Sequence, residues 1–359
     1  KDLIKFMKQN FNKVIVLINA ANPMELGILE DDDSEYAVDA ILWIGQPGNT
    51  GLNAIGRILN GEVNPSGRLV DIYTRDFKKD PTWQNSFDLS QNDVRDPVTG
   101  EVTGDQHMYT SYYVDENGEI VEGQRIIEYE EGIYLGYKYY ETRAAEYNGP
   151  IASIGEETFE NGEEWYQDAV VYPFGYGMSY TTFSQELVTT ADQFKSDILA
   201  KGGLDDEVRV EVQVTNTGSV TGKDVVQLYI SAPYYEGEIE KAEVQLVGFA
   251  KTPLLAPGES ATVTVDVRLG DIASFDYNDA NDNDYKGWEI EAGDYELRLQ
   301  KNSHEMWGDE KLSFNIADGE ALTTSLDNDS DATNNTPLSS GDDYDSLLNT
   351  KTETVGGKD

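Results

Sequence analysis

Tyr172-Pro173-Phe174-Gly175-Tyr176-Gly177-Met178-Ser179-Tyr180-Thr181-Thr182-Phe183 divides the chain into halves of different periodicity. Upstream, apolar residues come in continuous runs and at helical spacing; downstream they alternate. Pro173 cannot donate to a ladder, and Gly175 and Gly177 permit positive φ and close backbone approach, so the stretch predicts an extended segment with a tight bend. Alternation places the rings of Tyr172, Phe174 and Tyr176 on one side. Each ring buries ~150–250 Å², up to about 4–6 kcal/mol. That is enough to hold two domains together, and an interdomain aromatic plug is a plainer role for these rings than a ligand site.

Working back towards residue 1, Leu3, Ile4, Phe6 and Met7 have helical spacing, and Val14 to Ile18 forms an apolar run that marks a buried parallel strand. Glu30-Asp31-Asp32-Asp33 reads as a solvated acidic loop. Ala40 to Ile44 is a second buried strand. Leu52, Ile55, Ile58 and Leu59 predict an amphipathic helix stopped by Gly61, and Asn64-Pro65-Ser66-Gly67 a turn. Helix, strand, loop, strand, helix is part of a parallel α/β layer. Two strands make a poor sheet, so residues 1–75 read as the tail end of a larger domain. Gly48 and Gly51 lack the GxGxxG and Walker spacings, which argues against a phosphate loop.

Residues 76–183 read as a loop-rich aromatic linker. Asp80-Pro81, Asp96-Pro97, Gly100 and Gly104 mark loops, with Tyr109, Tyr112 and Tyr113 in one of them. In Glu128-Tyr129-Glu130-Glu131-Gly132-Ile133-Tyr134-Leu135-Gly136-Tyr137-Lys138-Tyr139-Tyr140-Glu141 the tyrosines suit domain-interface packing, with stacking on a sugar ring as the alternative. Glu128, Glu130 and Glu131 read as an exposed turn rather than an acid/base.

Working forward, residues 184–317 alternate with a period of two: Val208, Val210, Val212 and Val214; Val226, Leu228 and Ile230; Val263, Val265 and Val267; Tyr295, Leu297 and Leu299. Turns fall at Asn216-Thr217-Gly218, Ala256-Pro257-Gly258 and Ala292-Gly293-Asp294. This is an antiparallel β-sandwich. The oxygen-rich Asp276 to Asp284 stretch raises hard-cation binding but misses the EF-hand spacing. Residues 318–359 read as an acidic disordered tail, with Asn328 and Asn334 in weak glycosylation sequons.

The 359 residues carry 68 acidic and 26 basic side chains, two histidines (His107 and His304) and no cysteine, for a net charge of −42. That charge opposes nucleic acid and anionic membranes as partners and suits a neutral substrate; solubility through a solvated acidic face is its plainest role, with calcium binding and adaptation to salt as alternatives. Two histidines leave little for a His-based triad or a multi-His metal site, and the absence of cysteine excludes disulfides and thiol catalysis. The chain opens Lys1-Asp2-Leu3 without Met, which reads as an internal start and leaves secretion undecided.

The opening stretch resembles the YPFGYGLSYTTF segment of glycoside hydrolase family 3, the β-glucosidases, β-xylosidases and relatives, with Met178 in place of the usual Leu. Val38 to Ile55, Gly61-Glu62-Val63-Asn64-Pro65-Ser66-Gly67-Arg68-Leu69 and Glu128 to Glu141 resemble further segments of that family. Asn49-Thr50 and Val70-Asp71 depart from it. Val214 to Gly218, Gly222 to Tyr229, Leu246 to Lys251 and Leu255 to Ser260 resemble its fibronectin type III-like domain. The resemblance covers about residues 1–75 and 126–316. It implies a fold of α/β plus all-β class: a partial (α/β)6-sandwich with a parallel sheet, then a fibronectin type III-like antiparallel β-sandwich. It implies hydrolysis of terminal β-D-glucosidic or related bonds by a parent protein whose barrel domain is the partner of this chain. The substrate would be an oligosaccharide or β-glucoside. From the residues themselves, no metal site and no cofactor are expected. In the family the nucleophile is an Asp on the barrel. The acid/base is a Glu whose position varies, and the "EGxDR"-like segment precedes the helix corresponding to Leu3–Phe11. No residue here matches either, so no catalytic residue is assigned and this chain alone is expected to be inactive. The competing expectation is a carbohydrate- or partner-binding β-sandwich module without hydrolase activity.

Overall fold

The computed structural model of the chain describes residues 1–31, 33–85, 109–114, 120–126, 131–146, 151–152, 158–201, 203–235, 237–277 and 279–323. The polar tail from 324 onwards, with both sequons, lies outside them, as do Glu128, Glu130 and His107.

The first layer is a helix (Asp2–Asn10), a strand (Ile15–Ile18), a short helix (Gly27–Glu30), a second strand (Ala40–Trp43) and a helix (Gly48–Leu59). The strands pair in parallel, from Ile15 opposite Ala40 to Ile18 opposite Trp43. Gly61, at φ +79°, ends the last helix. Both strands were expected to be buried, yet only Ile18 of the first is; Ile15 and Leu17 are 46% and 40% exposed. Ile15 and Leu17 share one side of the strand, and two strands are too narrow to cover both of their own faces. Leu3 and Phe6 on the first helix and Leu52 and Leu59 on the last are also exposed.

The described residues of the middle of the chain form more helix and strand than its turn signals imply. Strand Tyr73–Thr74 pairs antiparallel with Val170–Tyr172, closing a long excursion at its base. Within it, Tyr109–Val114 pairs with Ile120–Ile126, so Tyr109, Tyr112 and Tyr113 lie in a hairpin strand rather than a loop. The aromatic and β-branched composition of Tyr109 to Val114 favours a strand over the loop that the flanking Pro and Gly suggest. Helices Tyr137–Glu146 and Gly162–Ala169 build a small core from Tyr140, Trp165, Tyr166 and Ala169, completed by Ile72 and Val170. They meet backbone to backbone: a Cβ on Gly162 would lie 1.8 Å from the Ala144 carbonyl oxygen.

The second half is the expected sandwich. One sheet orders Ser260–Arg268, Glu207–Asn216 and Phe183–Leu187; the other orders Gln245–Lys251, Val225–Ser231, Gly293–Gln300 and Met306–Ile316. The alternating residues Val208, Val210, Val212, Val214, Val226, Leu228, Val265, Val267, Leu297 and Leu299 are all buried in one core. Two features depart from period-two reading. Residues Ala191–Leu199 are a helix that buries Phe194 and Ile198 completely. Leu322–Thr323, at the start of the polar stretch, pairs with Glu289 and Ile290.

Candidate functional site

The two quoted motifs, Asn64 to Arg68 and the hinge, face each other. Asn64 Oδ1 accepts from Ser179 Oγ at 3.0 Å and from the Tyr180 amide at 2.8 Å. Tyr180 Oη donates to the Ile58 carbonyl. Arg68 reaches across to Asp224 of the sandwich, with side chains 16% and 2% exposed. Asp224 also accepts from Gln185 Nε2 at 2.8 Å. The hinge is therefore tied to the first layer by neutral hydrogen bonds, and the first layer to the sandwich by a charge-assisted pair at a nearly buried carboxylate.

The three hinge rings do not share one neighbour as simple alternation implies. Tyr172 and Tyr176 stack on each other at 5.1 Å, and Tyr172 donates to Glu30 of the first layer. Phe174 stacks on Tyr137 at 4.6 Å, and Tyr137 sits edge-on to Tyr229 of the sandwich. Gly175, at φ +80°, turns the chain between them and breaks the period of two. A Cβ there would also lie 2.2 Å from Gln227 Oε1. The rings are a plug, as expected, but one that serves two interfaces. The acidic run is drawn in as well: Glu30 takes the Tyr172 hydroxyl and Asp31 pairs with Arg75.

The turn Lys301 to Glu305 closes the junction. Its Ser303 amide donates to the Phe174 carbonyl at 2.8 Å, and its Lys301 carbonyl accepts from Gln227 Nε2 at 2.7 Å. Glu141, from the first linker helix, is 5% exposed. It accepts from Tyr166 Oη at 2.6 Å, Ser303 Oγ at 2.8 Å and His304 Nδ1 at 2.8 Å. The other ring nitrogen, Nε2, lies 2.9 Å from Glu163 of the second helix. The imidazole lies flat on Tyr166, 3.7 Å away. Burial pulls the His304 pKa down, but the hydrogen bond and charge of Glu141 and the charge of Glu163 outweigh it and raise it above its ordinary value. Burial, then the Glu141 charge, lifts the Tyr166 hydroxyl well above its own.

Ser, His and Glu meet here without forming a nucleophile and base. Ser303 donates to Glu141 rather than to His304, so the imidazole is not placed to take its proton, and Glu141 already accepts from Tyr166 and His304. Sequence reading missed Glu141 and His304 as partners because 163 positions separate them; the available signal was a lone histidine in a turn of an otherwise regular sandwich.

Tyr137 and Tyr140, weighed as sugar platforms, have protein neighbours on their rings: Phe174 on the first, and Trp165 at 5.7 Å on the second. The hollow beside Arg75, Tyr139, Trp165 and Asp168 has about 30 Å³, room for a water or two but not a sugar ring. In the acidic stretch Asp276, Asp279 and Asn283 accept from the backbone amides of Ala280, Asn283 and Tyr285. Among the described residues no three His, Cys, Asp or Glu side chains converge as a metal site. Among them, too, no helix is long and apolar enough to cross a membrane.

Residues 1–137 match the glycosyl hydrolase family 3 C-terminal domain, and residues 224–303 match the fibronectin type III-like domain. The chain is 33% identical over 307 residues to β-glucosidase A of Butyrivibrio fibrisolvens, covering 83% of this chain and 29% of that protein. It is 31% identical over 296 residues to a β-glucosidase of Ruminococcus albus, covering 82% and 23%. Among solved structures it resembles a β-glucosidase from Paenibacillus barengoltzii, with a TM-score of 0.63 and 27% identity over 89% of this chain and 28% of that one. β-Glucosidase 3B from Thermotoga neapolitana in complex with α-D-glucose gives a TM-score of 0.57 and 30% identity, covering 88% and 33%. The chain thus spans a third or less of the length of these relatives.

Proposed function

We propose, from the premise that this chain belongs to glycosyl hydrolase family 3 through its C-terminal domain and its fibronectin type III-like domain, that it works as the non-catalytic portion of a β-glucosidase-like enzyme. In this reading residues 1–75 are part of an α/β layer, 76–183 an aromatic linker, 184–317 the β-sandwich and 318–359 an acidic tail whose start still pairs with the sandwich. The whole enzyme hydrolyses terminal β-D-glucosidic or related bonds of an oligosaccharide or β-glucoside, and a barrel domain supplies the nucleophile.

The observation that carries this reading is the number of apolar side chains that the first layer leaves exposed. Leu3, Phe6, Ile15, Leu17 and Leu52 are 71%, 58%, 46%, 40% and 56% exposed. Apolar exposure of this kind suits cover by further elements, which in this reading belong to the same enzyme. A self-contained sugar-binding module has no use for it. The chemistry agrees. Hydrolysis with retention needs two carboxylates about 5–5.5 Å apart, one free to attack and one to transfer a proton. Among the described residues five carboxylates are buried, and Glu141, Asp224 and Glu291 are each engaged by a cation or by several donors, including the buried Lys241–Glu291 pair at 2.6 Å. Asp276 accepts from the Ala280 amide and Glu289 from Asn283 Nδ2, at the acidic stretch of the sandwich.

The test is turnover of an aryl β-glucoside by the 359-residue chain. The expected outcome is no release above the buffer blank; turnover at a rate typical of glycosidases overturns the proposal. Tight retention of the chain on insoluble polysaccharide, without turnover, supports the binding-module reading instead.

A further inference from the structure

His304 is held between two carboxylates that come from another part of the chain. Both ring nitrogens face carboxylate oxygens, at 2.8 Å to Glu141 and 2.9 Å to Glu163. A neutral imidazole has one N–H, so one nitrogen would turn a lone pair towards an anion; the imidazolium donates to both. The ring cannot easily swing away. Its turn is fixed by Asn302 Oδ1, which accepts from the His304 and Glu305 amides, and Tyr166 lies parallel against it. We propose that His304 is a pH-sensitive clasp that fastens the two linker helices to the end of the β-sandwich, closed when the imidazole is charged and released when it is neutral.

The groups facing the ring are Glu141 from helix Tyr137–Glu146, Glu163 and Tyr166 from helix Gly162–Ala169, and Ser303 beside it in its own turn. The Tyr166 hydroxyl, raised well above its ordinary value, stays protonated throughout the range in which His304 titrates. The sign follows from the raised histidine. Its contribution to the clasp is complete below the ordinary histidine value of about 6.5 and is lost as pH rises through the higher folded value. The bond from Ser303 to Glu141 does not depend on the imidazole, so release loosens the junction without dissolving it. The clasp goes beyond the glycosidase reading and stands whether or not that reading holds.

Imidazole nitrogen resonances of the whole chain test it, because there are only two histidines; a His107→Gln variant assigns the remaining signal. His304 is expected to titrate above about 6.5. Amide exchange in Lys301 to Glu305 and in helix Tyr137–Glu146, corrected for intrinsic rates, is expected to accelerate severalfold across that transition. A His304→Gln variant should lose the transition. Glu163 has a side chain 61% exposed, so Glu163→Gln leaves the fold alone; it should move both the titration and the exchange transition to lower pH. A His304 midpoint at or below the ordinary value overturns the clasp. So does an exchange profile that Glu163→Gln leaves unmoved.

Discussion

Arg68 is one guanidinium that joins the first layer to the sandwich. It sits just after the Asn64-Pro65-Ser66-Gly67 turn, and its partner Asp224 opens a sandwich strand. Removing it strands an almost fully buried carboxylate, which costs far more than an exposed ion pair contributes. Arg68→Ala is expected to lower unfolding free energy by about 3–5 kcal/mol, measured by urea titration, and adding Asp224→Asn should recover part of the loss. A change within about 0.5 kcal/mol, the range of an ordinary surface substitution, would show that other contacts hold the junction. Residue by residue, the sequence marks such positions unevenly. Gly175 is visible as a glycine between aromatics, and its positive φ and crowding by Gln227 explain it. Arg68 and Glu141 look like any charged side chain. What makes them matter is a partner more than 150 positions away, and nothing local encodes that distance.

Among the elements, helix Ala191–Leu199 shows why a strong pattern hides a weaker one. Thr190 and Gln193 form a reciprocal capping box, and Phe194 and Ile198 stand four apart on the buried side. Both signals were present in the sequence but were overshadowed by flanking strands with strict alternation. The strands themselves were legible because Val208 to Val214 and Val263 to Val267 alternate without interruption, and register follows once one face is buried. The first layer was legible as strand and helix but not as to burial, since an apolar run gives no sign of whether its covering layer is present. Thr190→Ala is expected to cost ~1 kcal/mol through loss of the cap, read as a drop in the calorimetric midpoint. No drop would mean that Phe194 packing against Phe314, at 5.3 Å, fixes the helix unaided.

The whole molecule carries a charge of −42, with 68 acidic side chains against 26 basic ones. Self-repulsion on this scale works against the compact state, and at about 0.1 M salt the screening length falls to ~10 Å. The thermal midpoint is therefore expected to rise by several degrees between low salt and 0.5 M sodium chloride; a flat or falling midpoint would show that exposed pairs such as Lys5–Glu35 outweigh the repulsion. The short ladder between Tyr73–Thr74 and Val170–Tyr172 has a bearing at this scale too. It works like a drawstring: the chain leaves and re-enters the body at adjacent points, so how far it wanders in between hardly alters the frame it returns to. Doubling such a wandering span costs only about 0.6 kcal/mol. A graft between those two knots leaves the ladder in place so long as it falls outside helices Tyr137–Glu146 and Gly162–Ala169, whose grip on the sandwich, like Gly175 and Arg68, has no such latitude.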